Sequence, residues 1–170
     1  MNNSDSRFKD VDFYFLWGSG NKGKTLTLKC LYCLFMKEGG EPLSVVLGKG
    51  PNDPSEVEKR LDAIDFSSKN YIQNIAFKFR YNGKNIYLFS WGDAFNNHKY
   101  SIMNGIESIE EDVDIYIGAC HPNSIAKISE LVEKPITIFG KKGIEDVSEY
   151  MKENREKAKE MFETIKQKSF

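Results

Sequence analysis

The chain lacks the features that mark several large classes of protein. It has almost no net charge, with 24 basic residues against 25 acidic ones in 170. Binding nucleic acid by charge needs a positive excess, so there is no strong nucleic-acid signal, although a local basic patch stays open. No apolar run approaches the ~18 residues of a membrane span, and residues 1–10 hold no stretch of signal-peptide length. These absences predict a cytoplasmic protein with no membrane segment.

Cysteine is also scarce, and its number is odd. Cys30, Cys33 and Cys120 predict free thiols rather than a disulfide framework. The C-x-x-C pair of Cys30 and Cys33, together with Cys120 and His121, could supply four zinc ligands. The pair lies in a dense apolar segment, however, where cysteine behaves as a small hydrophobe, and this favours a packing role.

What the chain does have is enough apolar material for one core. Its 40% hydrophobic residues over this length predict a single domain, at residues 11–170. The polar residues 1–10 predict a disordered arm. Apolar runs predict strands at residues 11–17, 43–47, 72–81, 84–90, 113–119 and 135–139. Helical spacing predicts helices at residues 26–36, 56–64, 98–109, 124–132 and 144–168.

This order of elements predicts an α/β fold with a mostly parallel sheet and right-handed crossovers. Asn82-Gly83 is a strong two-residue hairpin signal, which adds one antiparallel strand. The last helix is long and charged, with an apolar stripe. We expect its first half to cover the sheet and its second half to overhang it.

One motif stands between the first strand and the first helix. Residues 18–25 read Gly-Ser-Gly-Asn-Lys-Gly-Lys-Thr, which fits G-x-x-x-x-G-K-[ST] at every fixed position. The glycines allow successive backbone N–H groups to point at one anion, and the start of the helix adds its positive end. The chain thereby resembles the P-loop nucleoside triphosphatase superfamily.

The resemblance implies a three-layer P-loop sandwich that binds a nucleoside triphosphate and Mg²⁺. Lys24 would reach the β- and γ-phosphates and serve catalysis, and Thr25 would offer its hydroxyl to Mg²⁺. The residues expected to bind the nucleotide are Gly18, Ser19, Gly20, Asn21, Lys22, Gly23, Lys24 and Thr25.

Asp93 follows an apolar strand, where P-loop proteins place the aspartate that holds Mg²⁺, so it is the second predicted metal and catalytic residue. The preceding hairpin resembles that of Ras-like GTPases, but the switch glycine and the guanine-reading motif are missing. ATP is therefore favoured over GTP. Ala94 stands where many ATPases carry a catalytic glutamate, which predicts slow hydrolysis. His121 or Asn123 could sense the γ-phosphate, but a role in turn formation and helix capping is preferred.

Three functions remain open at this stage. The first is a Mg²⁺-dependent nucleotide switch or accessory ATPase. The second is a small-molecule kinase, which is disfavoured because only four scattered arginines are available for a lid. The third is a non-enzymatic module whose protein partner binds the C-terminal helix along the stripe of Tyr150, Met151, Ala158, Met161, Phe162 and Ile165.

Overall fold

The apolar runs form one seven-stranded sheet with helices on both faces. The computed structural model describes residues 8–18, 23–47, 50–51, 75–90, 106, 112–141 and 147–170. The strands are β1 (Asp12–Trp17), β2 (Glu41–Leu47), β3 (Gly50–Pro51), β4 (Ile75–Tyr81), β5 (Lys84–Phe89), β6 (Ile115–Cys120) and β7 (Thr137–Gly140). The helices are α1 (Lys24–Lys37), α2 (Ile125–Val132) and α3 (Val147–Ser169), with a 3-10 turn at Pro122–Ser124.

The helix predicted at 56–64 lies outside the described residues. Of the helix predicted at 98–109 only Ile106 is described, and it is helical and buried.

The strand order is β3-β2-β4-β5-β6-β1-β7. The neighbours β5, β6, β1 and β7 pair in parallel, whereas β4 pairs antiparallel with both β5 and β2, and β3 pairs antiparallel with β2. The predicted α/β class and the reversed hairpin strand are confirmed. The prediction of a mostly parallel sheet is wrong. The reversed strand β4 pairs antiparallel with the strands on both of its sides, and the short β3 adds a further antiparallel pair. The sheet is mixed.

The predicted hairpin turn is confirmed in its backbone. Asn82 and Gly83 both have positive φ angles, 47° and 79°. Two left-handed residues in succession are the signature of the two-residue turn whose twist matches that of the flanking strands. The turn sets the register in which Tyr81 pairs with Lys84.

Alternate residues of β1 belong to two separate cores. Tyr14 and Leu16 join the cluster that contains α1 and α3, while Phe13 and Phe15 join the cluster that contains α2. The second cluster also holds Phe8, which is 2% exposed and packs edge-on against Phe13. The fold therefore includes residues ahead of the boundary expected at residue 11.

The second half of α3 is in the core, so the expected overhang is wrong. Ala158, Met161, Phe162 and Ile165 are at most 4% exposed and pack with α1 and the sheet. At the helix end the Tyr14 hydroxyl lies 2.6 Å from Ser169 Oγ, which donates to Asp12 Oδ2 at 2.7 Å. None of the helices in the described ranges is long and apolar enough to cross a membrane.

Lys29, in the middle of α1, is a charged residue at a buried position. It is 4% exposed, and burial lowers the pKa of its ammonium group from 10.5 to about 8. Because the charged form is disfavoured inside the protein, Lys29 reduces stability at neutral pH.

Phe162→Ala should lower the free energy of unfolding by about 3–5 kcal/mol, since it opens a cavity beside the Phe35 ring, whose centroid lies 4.9 Å away. Urea unfolding measures the loss. The neighbouring exposed change Glu163→Ala should alter stability by less than about 0.5 kcal/mol. Equal effects of the two changes would show that α3 is not part of the core.

Lys29→Met should raise the free energy of unfolding at pH 7 by up to about 3 kcal/mol. The folded pKa lies below the unfolded one, so the unfolded chain binds more protons between pH 8 and 10.5, and the stability of the unmodified protein rises with pH across that window. The gain from the substitution should therefore shrink above pH 8 in urea unfolding series. Lys37→Met, at an exposed position of the same helix, should change stability by less than about 0.5 kcal/mol, and a gain from Lys29→Met that is independent of pH would contradict the assignment.

Candidate phosphate-binding site

The chain leaves β1 at the carboxyl edge of the sheet, between the ends of β6 and β7. Trp17 pairs with Cys120 on one side and with Gly140 on the other. The next residue, Gly18, donates its N–H to Cys120 O at 3.2 Å, and the Lys141 N–H donates to Trp17 O at 2.9 Å. Ligands of open α/β sheets bind outside the carboxyl ends of the strands. The candidate loop therefore begins at the edge where such a ligand is expected.

The loop ends at Gly23, directly before α1. Gly23 has φ 80° and ψ 20°, a left-handed conformation that glycine adopts without a steric penalty. The N-cap residue is a glycine and supplies no side-chain cap, and the first turn of the helix holds no acidic residue. The positive end of α1 favours an anion at this position.

Lys24 closes the loop on itself. Its Nζ donates to the carbonyl oxygen of Gly18 at 2.7 Å, and the residue is only 9% exposed. The contact joins the first residue of the motif to the lysine of the motif and holds the ammonium group beside the end of β1. The four residues between Gly18 and Gly23, which are Ser19, Gly20, Asn21 and Lys22, lie outside the described residues, so their phosphate contacts stay a prediction.

Of the two residues predicted to bind Mg²⁺, Thr25 is the one that lies within the described residues. It is half-buried in the first turn of α1, one residue after Lys24. Asp93 lies outside the described residues, and its metal role stays a prediction. The strand before it, β5, is separated from β1 by β6, so two strand spacings, roughly 10 Å, lie between them. Magnesium sites of nucleotide enzymes need only one or two protein ligands, because waters and phosphate oxygens supply the others.

Two polar contacts near the loop, one part-buried and one buried, are not predicted by the sequence. Lys141, which follows β7, forms an ion pair with Glu153 of α3 at 3.3 Å, and a Cβ atom on Gly18 would lie 3.0 Å from the Lys141 carbonyl oxygen. Asn154, the next residue of α3, contacts the Thr27 hydroxyl at 3.1 Å. Glu153 and Asn154 lie in a helix whose many charged residues are typical of a solvent-exposed helix. No local pattern in the sequence therefore separates these two residues from their neighbours.

Cys120 lies at the end of β6 and is fully buried. Burial raises the pKa of its thiol from 9.0 to about 12, and the charge of Lys24 opposes this only in part. Cys30 and Cys33 pack against the core on the opposite face of the sheet. The three thiols therefore do not form one zinc set, and the described residues contain no cluster of three metal-binding side chains.

The two polar residues after β6 differ in their exposure. His121 is half-buried, whereas Asn123 is exposed. Ser124 occupies the N-cap position of α2, but its side chain makes no capping bond, and neither does that of His121 before the 3-10 turn. The predicted helix cap by Asn123 is therefore wrong, because Ser124 holds the N-cap position and the 3-10 turn makes the first backbone bonds of α2.

Comparisons of the chain with known protein families, with curated proteins and with solved structures find no match.

Cys120 should resist alkylation in the native protein at pH 8, because a thiol with a pKa near 12 is roughly a thousandfold less ionised there than one with a pKa of 9. Iodoacetamide labelling followed by peptide mapping measures this, with half-buried Cys33 as the internal comparison. All three thiols should react in urea. Equal native labelling of Cys120 and Cys33 would contradict the buried position.

Proposed function

We propose that the chain is a P-loop nucleotide-binding protein that holds a nucleoside triphosphate, with Mg²⁺, between β1 and α1. The observation that carries the proposal is the contact of Lys24 Nζ with Gly18 O, made across a loop that ends in left-handed Gly23 at the start of a helix. This arrangement brings a buried cation, a helix N-terminus and glycine backbone to one edge of the sheet. All three favour an anion of high charge.

The chemistry of the site follows from charge. Lys24 would stabilise charge on the transferred phosphoryl group, and the loop amides would position it. Thr25 and Asp93 would hold Mg²⁺, which neutralises the phosphate oxygens when bound. We propose adenine as the base, because the sequence lacks the motif that reads guanine. The absence of a glutamate directly after Asp93 supports slow turnover. We retain a nucleotide-dependent switch or accessory ATPase in the cytoplasm as the role.

The two alternative functions gain no specific support. Arg80 donates to Asn85 beside the hairpin, at the amino end of β5 and so at the edge of the sheet opposite the loop. It is therefore poorly placed for the phosphate lid of a kinase. The stripe proposed for a protein partner is largely used inside the fold, where Met161 and Phe162 pack in the core. Over residues 152–169, where the side chains of α3 are described, a partner would have to bind its charged outer face.

Lys24→Ala should weaken binding of a fluorescent ATP or GTP analogue with Mg²⁺ by about thirtyfold or more, because it removes a desolvated charge from the phosphates. Fluorescence titration measures the dissociation constant. Lys37→Ala, which removes the same charge from the exposed end of α1, is the matched control and should leave affinity unchanged. Unaltered affinity of Lys24→Ala would reject the proposal, and thermal shifts with ATP, GTP and their diphosphates would identify the base.

A further inference from the structure

The carbonyl of Gly23 is held by a buried polar chain that runs from α1 to α3. Thr27 donates two hydrogen bonds to Gly23 O, one from its backbone N–H at 2.9 Å and one from its hydroxyl at 2.8 Å. The same hydroxyl oxygen lies 3.1 Å from Oδ1 of the Asn154 side-chain amide, which the structure places as an acceptor. Both Thr27 and Asn154 have 0% exposure, so water does not compete for these contacts.

The number of protons in this chain assigns its direction. A hydroxyl has one proton to donate, and the short contact to Gly23 O uses it. The same proton cannot also serve Asn154 Oδ1, so the amide makes a full hydrogen bond with Thr27 only when it is turned by 180° and its NH₂ group takes the place of Oδ1, an orientation equivalent in shape. In that orientation Asn154 donates to Thr27, which donates to Gly23. Successive bonds of this kind polarise one another and hold the accepting carbonyl in place.

Asn154 is an unfavourable residue for stability at this position. In the described part of the chain, only one end of its amide has a partner, and the other end is buried without one. Leaving a buried polar group unpaired costs about 1–3 kcal/mol, which an apolar residue of similar volume would avoid. Residues that reduce stability in this way are typical of functional sites, where geometry matters more than packing.

The same turn of α3 is also linked indirectly to Gly18, at the opposite end of the loop. Glu153 forms an ion pair with Lys141, whose backbone carbonyl closely approaches Gly18. Residues 153 and 154 are therefore connected to both ends of the loop, one through Lys141 and the other through Thr27. One turn of α3 is thus linked, through Lys141 and Thr27, to both Gly18 and Gly23.

We propose that Asn154 is a positioning residue of the phosphate loop, which acts through Thr27 on the carbonyl of Gly23. It sets the orientation of the residue from which α1 begins, and thereby the direction in which the first N–H groups of the helix and Lys24 are presented. Asn154 does not touch the phosphates. The consequence for affinity rests on the proposed nucleotide-binding function, whereas the consequence for the loop itself does not.

The test is Asn154→Leu, which removes the amide and keeps the volume. In the protein without nucleotide, hydrogen exchange of the Thr27 amide should accelerate about five- to tenfold, the equivalent of one lost hydrogen bond. Stability in urea should be unchanged or higher. Ser169→Ala is the matched control, because it removes a buried hydrogen-bonding side chain from the far end of α3 and should leave exchange of Thr27 unchanged. Unchanged exchange in Asn154→Leu would overturn the proposal.

Nucleotide affinity gives the second readout. Asn154→Leu should weaken binding of the fluorescent nucleotide analogue with Mg²⁺ about five- to tenfold while the protein stays fully folded, a separation that a purely structural role would not produce. If the unmodified protein binds nucleotide and the variant binds it equally well, the proposal is rejected. If the unmodified protein binds no nucleotide, the proposed function fails, and the exchange experiment alone decides the role of Asn154. Thr27→Val, which removes the middle of the chain, replaces Asn154→Leu if that variant does not fold.

Discussion

The contact between the Lys24 ammonium group and the Gly18 carbonyl is the interaction on which the candidate site depends. A lysine at 9% exposure has lost most of its water, and it needs a compensating dipole or anion. The carbonyl supplies the dipole, and it lies one residue beyond the end of β1, the central strand of the parallel part of the sheet. The position of the charge therefore follows from strand pairing. A loop on an edge strand would not hold a buried cation with the same constraint.

Local signals in the sequence predicted the elements around the site well. The apolar run before residue 18 forms β1, and α1 ends at Lys37, just before left-handed Gly39. Asn82-Gly83 forms the turn that its composition indicates. These features depend on backbone preferences of neighbouring residues, which are visible in a short window. The position of Lys24 follows for the same reason, because the motif itself places it at the first turn of the helix.

Features that depend on distant contacts were not predictable in this way. The reversed strand β4 pairs with β2, and nothing in either segment specifies the direction of its neighbour. The length of α3, 23 residues, predicts that its second half overhangs the sheet, yet Ala158, Met161 and Ile165 fall on one face and pack in the core. Lys29 and Asn154 are polar residues at buried positions, and only the packing of whole elements reveals them.

The strand order has a consequence for the way the chain acquires its fold during synthesis. β1 pairs only with β6 and β7, since Trp17 is joined to Cys120 and Gly140, roughly a hundred residues further along the chain. At the usual rate of translation those residues emerge about 5–20 seconds after β1. For that time the aromatic residues of β1 lack the strands that cover its two edges. The nascent chain therefore has a period of exposure in which chaperone binding to residues 12–17 would protect it from aggregation, and the strand edge that carries the candidate site can be completed only when that period ends.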